Sequence, residues 1–295
     1  MNLNDLLRKQ DIDPRLVILL RHKPPEPTIR RTLPWLAAEK HDIFNTYQQT
    51  QTKRLEQAME KLTGHGYIAS FIAQETGSAV FAGLYAIKSS KPITNEQLFR
   101  KPAYKELISM GMFRWPNTKK TRSSFQWFDL VLTDFYKKWK GRLVVEWPTQ
   151  GRAWWRRAHR SEFPIHAVLE ESCFVGRMPN WQEIEFRWEE LALLPKRWQT
   201  AISQWRGIYY IFDRSDGRGY VGSAYGENNL LGRWRNYAAK GDGGNKLLRK
   251  RDPHNFVFTI LQRVSPDMDA QDVIQVENSW KQRLHTRAPD GLNEN

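Results

Sequence analysis

The chain has 295 residues, with 46 lysines and arginines against 32 aspartates and glutamates, a formal charge of +14 and one cysteine, Cys173. The length accommodates two domains with cores of their own, while the lone cysteine excludes an internal disulfide or a cysteine zinc cluster and is assigned to packing. The longest aliphatic run, LVILL at 16–20, is too short to span a bilayer, and MNLNDLLRKQ has no signal-peptide apolar region, so a cytoplasmic protein is expected.

In chain order, the first sixty residues read mostly as helix, with LPWLAAEKHDIFNTYQQTQTKRLEQAMEKL carrying apolar residues at helical spacing and stopping before Gly64. YIASFIA (67–73) and AVFAGLYAI (79–87) follow as strands joined through QETGS, and then a helical segment near 94–110. FQWFDLVLTDF (125–135), GRLVVEWP (141–148) and IHAVLEE (165–171) read as strands, and WQEIEFRWEELALLP as a strand passing into helix. The expected division is a basic front domain, 1–200, and a smaller domain, 201–295, meeting near PKRWQTAISQW. Charge follows that division: residues 1–206 hold 33 basic and 21 acidic side chains, residues 207–295 hold 13 and 11. Such a surplus favours a polyanion such as nucleic acid. Within the front, GRAWWRRAHR (151–160) interleaves Trp154 and Trp155 with Arg152, Arg156, Arg157 and Arg160. Flat rings among guanidinium groups suit phosphate contact and base stacking; a solvated helix with buried tryptophans is the alternative.

The segment RGIYYIFDRSDGRGYVGSAYG (206–226) contains Gly217, Gly219 and Gly222 as G-x-G-x-x-G. A dinucleotide cradle needs those glycines to follow a strand and open a helix. Here GIYYIF and YVGSA both read as strands around the turn dipeptide Asp216-Gly217, which makes a hairpin instead. A two-residue loop pairs Tyr209 with Ala224 and Ile211 with Gly222, and the period of two gathers Tyr209, Ile211, Tyr220, Gly222 and Ala224 on one face. Downstream, NNLLGRWRNYAAKG reads as a helix on which Arg233 and Tyr237, four apart, share a face. A last helix within SPDMDAQDVIQVENSWKQRLHTR has an apolar stripe through Val273, Trp280 and Leu284, with Glu277 on the same stripe. A carboxylate on a face meant for burial is costly unless paired or bound to a cation, so Glu277 is a site candidate.

These residues, in this order, resemble the GIY-YIG nuclease superfamily over 206–295. Gly207-Ile208-Tyr209 matches the first name-giving tripeptide and Tyr220-Val221-Gly222 the second, with valine for isoleucine. Arg233, Tyr237, Glu277 and Asn293 fall at the positions of the family's arginine, histidine or tyrosine, glutamate and asparagine; Tyr237 stands where many members have histidine, and Asn245 where some have another. The resemblance implies hydrolysis of DNA phosphodiesters with one divalent ion, Mg²⁺ or Mn²⁺. In that reading Arg233 binds phosphoryl oxygens, Glu277 holds the metal, and Tyr209 is the candidate base, its phenol lowered by Arg233 and the metal. Tyr220 and Tyr237 orient water or phosphate, and Asn293 braces the site. Arg235 and Lys246 join Arg152, Trp154, Trp155, Arg156 and Arg157 as DNA contacts.

The front module, with YIASFIAQETGSAVFAGLYAI followed by FDLVLTDFYKKW, resembles the PUA, EVE and YTH base-reading domains. That resemblance implies a restriction or defence enzyme acting on foreign or modified DNA. A repair or mobile-element nuclease and an inactive DNA-binding regulator are the alternatives. One such site per chain cuts both strands only with a second protomer, as in a homodimer on DNA, or by sequential nicking. The expected class is α+β: a strand-rich N-terminal module with flanking helices, and a small C-terminal nuclease domain with an antiparallel sheet and helices.

Overall fold

The computed structural model describes the chain apart from residues 75–76, 113–121, 149–153, 227–228, 241–243 and 295, and the side chain of Lys240. It is α+β and forms two compact units, Met1–Gly176 and Arg177–Asn295. Residues 1–176 carry 28 basic and 17 acidic side chains and residues 177–295 carry 18 and 15, so most of the positive surplus lies in the first unit.

In the first unit the elements run α1 (Leu3–Arg8), β1 (Val17–His22), α2 (Pro27–Glu39), α3 (His41–Gln48), α4 (Lys53–Glu60), β2 (Tyr67–Ala73), β3 (Ser78–Thr94), α5 (Asn95–Arg100), α6 (Pro102–Ser109), β4 (Ser124–Leu132), β5 (Leu143–Glu146), β6 (Trp155–Arg157) and β7 (Ile165–Val168). The sheet order is β6-β1-β2-β3-β5-β7, with β4 pairing the far half of the long β3. Among the described strands of this unit only β1 and β2 pair in parallel, Val17 opposite Tyr67 through His22 opposite Ile72, and α2 to α4 form the crossover between them. Leu3, Leu6 and Leu7 of α1 join Val17, Leu19, Ala69, Phe71, Phe81 and Val145 in one core.

Two expectations need correction here. The first sixty residues are mostly helix as expected, in α1 to α4, but VILLRH within them is a buried strand, and the long helical pattern breaks at Lys40 and before Lys53 into α2, α3 and α4. The helix alternative for the tryptophan-arginine segment does not hold at residues 155–157, which pair antiparallel with β1, placing Arg157 opposite Ile18 and Trp155 opposite Leu20.

The second unit runs β8 (Glu185–Arg187), α7 (Lys196–Ser203), β9 (Arg206–Asp213), β10 (Gly219–Ala224), α8 (Asn229–Lys240), β11 (Phe256–Val264) and α9 (Ala270–Arg283). Its four-stranded antiparallel sheet has the order β10-β9-β11-β8. The pairing of β8 with β11 and the packing of α7 on α8 tie residues before 201 to this unit, so the compact units divide after Gly176, earlier than the 200/201 division read from the sequence. One sheet face carries Phe186, Ile211 and Phe258 against Trp234 of α8, the other Ile208, Val221 and Val264 against Val273 of α9. Helices thus lie on both sides of the sheet.

The hairpin register also differs from the expected one. Tyr209 lies opposite Gly222 and Tyr220 opposite Ile211, because the loop has four residues, closed by the Asp213 N–H donating to the Arg218 carbonyl at 2.9 Å. Asp213 dictates this: its buried carboxylate accepts from the Ser215 N–H at 2.8 Å and from Arg251 at 2.7 Å, while Gly217 takes the left-handed backbone at φ 77°. A displacement of two residues leaves every side chain on its predicted face.

Candidate active site

The face covered by α8 gathers four of the candidate residues. Tyr209 and Tyr237 place their hydroxyls 3.1 Å apart, and the rings of Tyr209, Tyr220 and Tyr237 form a triad with centroids 6.1–6.4 Å apart. Arg233, one helical turn before Tyr237, hydrogen-bonds the Tyr209 hydroxyl. Its Nε is buried and has no hydrogen-bond partner among the described residues. Gly222 makes the cluster possible: a Cβ there would run into the Tyr209 ring and hydroxyl and come within 2.9 Å of Tyr220 Cε1. Gly219 and Gly222 therefore serve close packing in a hairpin and Gly217 its turn, as the sequence context requires.

Tyr209 and Tyr237 are fully buried. Burial first, and then the neighbouring Tyr220, push the Tyr209 phenol above its ordinary value, outweighing Arg233 and the hydrogen bond from Tyr237. Burial and the Tyr209 hydroxyl do the same to Tyr237. Arg233 acts on the Tyr209 phenol in the expected, lowering direction, and without a metal ion the desolvation of a phenolate exceeds the gain from that one guanidinium. At neutral pH these two groups are neutral hydroxyls that donate and accept hydrogen bonds.

Glu277 lies on the other side of β10. Its carboxylate accepts from the Ser223 hydroxyl and pairs with Lys281 at 2.7 Å, with the Glu277 side chain 15% and the Lys281 side chain 7% exposed. Ser223 alternates with Gly222 along the strand and so points away from the tyrosines. Asn293 sits at the free edge of the same strand, its Oδ1 accepting from the Val221 N–H at 3.0 Å and its Nδ2 donating to the Val221 carbonyl at 2.8 Å. The edge strand β10 is what the candidates share, with Tyr220 on one face, Ser223 and Glu277 on the other, and Asn293 along its side. Asn293→Ala leaves the N–H and the carbonyl of Val221 unmatched at a buried site; it is expected to lower unfolding stability by about 2 kcal/mol, read from the urea midpoint.

Sequence reasoning missed Ser223 and Lys281. The i, i+4 spacing of Glu277 and Lys281 was a usable signal for the second. Asn245 caps a turn, its side-chain oxygen accepting from the N–H groups of Leu247 and Leu248 at 2.8 and 2.9 Å. Arg235 is exposed and bonds Gln199 at 2.6 Å, and Lys246 is exposed. Leu284, expected on the buried stripe of α9, lies just past the helix and is exposed.

Among the described residues no group of three or more histidine, cysteine, aspartate or glutamate side chains is placed to hold a metal. A hard divalent ion such as Mg²⁺ keeps several waters and needs only one or two carboxylates beside substrate phosphate. The partly exposed Glu277 carboxylate with its neighbouring serine hydroxyl fits that requirement, and Lys281 neutralises it meanwhile.

In the first unit, the DNA-contact candidates Trp154, Trp155, Arg156 and Arg157 are all half-buried along β6, and Arg152 lies outside the described residues. Arg156 reaches the Pro148 carbonyl at 3.4 Å, and the Arg54 guanidinium stands 6.0 Å from the Trp155 ring centre.

Residues 206–290 match the family described as the GIY-YIG catalytic domain. The second unit therefore carries a GIY-YIG domain over its hairpin, α8, β11 and α9. Among solved structures, the catalytic domain of homing endonuclease I-TevI is similar at 24% identity, over 30% of this chain and 95% of that chain, with a TM-score of 0.25. No curated protein matches the chain. No helix among the described residues is long and apolar enough to cross a membrane.

Proposed function

We propose that the protein is a metal-dependent DNA endonuclease that binds DNA largely through its basic first unit and hydrolyses phosphodiesters at the β10 edge. The observation that carries this is the Arg233 guanidinium, held against three phenols with a buried Nε that lacks an acceptor. Such an orphan donor is costly, and a phosphoryl oxygen is the acceptor that satisfies it and that an always-charged guanidinium stabilises as charge builds up. The Tyr209 and Tyr237 hydroxyls, 3.1 Å apart and buried, hold the half-buried Arg233 guanidinium from behind and fix its direction toward the phosphate. Tyr220 walls the cluster, and Asn293 holds β10 in place from its edge. Glu277 would hold a divalent ion, whose contribution there would be Lewis-acid stabilisation and a more acidic water.

Incubating the protein with plasmid in Mg²⁺, Mn²⁺ or EDTA is expected to give cleavage in the first two only. Failure of both metals removes the proposal. Nicked circles that precede linear product indicate successive cuts by one site, whereas direct linear product indicates two chains acting as a dimer. Binding to duplex DNA is expected to weaken by roughly 10³-fold between 50 and 200 mM salt, the behaviour of about six phosphate contacts. Charge supports this, since the first unit carries 28 basic against 17 acidic residues. A restriction or defence role against foreign or modified DNA is supported by the resemblance of the front module to base-reading domains. Its check is cleavage of one sequence in plain, methylated and hydroxymethylated form, and equal cutting of all three removes modification dependence.

A further inference from the structure

A concavity of about 640 Å³ in the first unit lies beside the end of β1 and is lined from α3, α6, the start of β4 and the residue before β6. Its size falls in the range of small-molecule sites. Four aromatic rings line it: Tyr47, Tyr104, Phe125 and Trp154. Exposed Lys23 and Lys53 line it too, and Glu26 is the carboxylate in its wall.

The walls are held from behind. Arg122 stacks its guanidinium 4.6 Å from the Phe125 ring centre and pairs with buried Glu56, which also accepts from the Gln126 N–H at 3.0 Å. The Trp154 carbonyl accepts from the Arg21 N–H at 2.7 Å, fixing that residue to β1. His22 is the polar group built into this wall: it is 4% exposed, lies edge-on to Phe44 and Tyr47, and bonds Gln48. Burial depresses its imidazole to about 4, so it is neutral at pH 7. Its Nε2 is buried without a hydrogen-bond partner among the described residues.

Several aromatic walls fit a planar ring. An unmatched neutral imidazole nitrogen fits a ligand with a hydrogen-bonding edge, and ammonium groups at the mouth fit a phosphate attached to it. From these we infer that the cavity holds a single nucleobase, stacked among Tyr47, Tyr104, Phe125 and Trp154, with its edge on His22 and its phosphate at Lys23 and Lys53. The base enters unstacked, either within a DNA strand or as a free nucleotide. Naming a strand as its source rests on the proposal that the protein acts on DNA.

The test measures binding by the full chain in EDTA, where cutting plays no part. Its probes are a labelled DNA tetranucleotide, the same tetranucleotide with one abasic residue, and free deoxynucleoside monophosphates. Loss of the base is expected to weaken binding roughly ten- to hundred-fold, as removal of a stacked base does. Trp154→Ala is expected to erase that difference, while Lys53→Glu, at an exposed site, weakens both oligonucleotides and preserves it. A monophosphate that binds as tightly as the tetranucleotide makes the source a free nucleotide, and one at least tenfold weaker makes it a strand; both outcomes uphold a nucleobase site. Because Trp154→Ala can also disturb folding, photocrosslinking of 5-iodouracil in the tetranucleotide to the unaltered protein provides a second readout. It is expected to label Tyr47, Tyr104, Phe125 or Trp154. Equal affinity for intact and abasic oligonucleotides, or crosslinks confined to residues 177–295, overturns the assignment. Base discrimination that persists in a protein unable to cut DNA in Mg²⁺ overturns the nuclease proposal and leaves this one standing.

Discussion

Glu277→Gln is expected to lower DNA cleavage at least 10³-fold while changing DNA affinity in EDTA by less than about threefold. The carboxamide keeps the volume of the carboxylate and can still accept from Ser223, so the helix should hold its place; what disappears is the charge that binds a divalent ion. A metal's contribution to a phosphoryl transition state is several kcal/mol, and about 4 kcal/mol corresponds to a factor of roughly 10³. The substitution also takes the anion from Lys281, which contacts it at 2.7 Å with little exposure. A fall in thermal midpoint of a few degrees is therefore expected beside the kinetic effect. Cleavage above a tenth of the parent rate, in protein whose circular dichroism is unchanged, removes Glu277 from the metal site.

The second large effect is an acid sensitivity confined to the first unit. His22 has an ordinary value near 6.5 when unfolded and about 4 in the fold, because burial disfavours its cation. Between those values the unfolded chain binds the extra proton. Stability is therefore complete above pH 6.5 and declines as pH falls through this window, by about 3 kcal/mol at pH 4. Asp213 behaves differently. Burial alone would raise it, but Ser215 and Arg251 together hold it below the usual carboxylate range, so its contribution persists to below about pH 4 and is lost only in stronger acid. Unfolding followed by hydrogen exchange at pH 7 and pH 5 should show protection falling in β1 and β2 and holding in β9 to β11. His22→Phe should flatten the dependence of the first unit, and an unchanged slope in that variant would assign the proton to another group.

How much of this was legible in the sequence depended on how local the cause was. The faces of the hairpin followed from the period of two, and Arg233 with Tyr237 from the helical repeat, because both are fixed by backbone geometry within a few residues. The hairpin register was not legible, since loop length was set by Asp213 reaching Arg251, 38 positions away in the chain. VILLRH escaped notice as a strand because β1, flanked by β2 and β6, is apolar at successive positions and shows no alternation. Glu277 stood out as a carboxylate on a helix stripe, yet Ser223 could be linked to it only once α9 was known to pass behind β10. The meeting of the tyrosines is legible and their full burial is not: spacing says who meets whom, and says little about how much water is left between them.

The edge of β10 is occupied by Leu292 and Asn293 of the same chain. The Leu292 N–H donates to the Gly219 carbonyl at 2.9 Å, and Asn293 takes both polar groups of Val221. A bare edge next to these groups would be a template for another strand. Removing Leu292 and Asn293 would thus uncover a sticky border beside Tyr220, and a variant truncated before Leu292 is expected to turn turbid at concentrations where the parent stays clear.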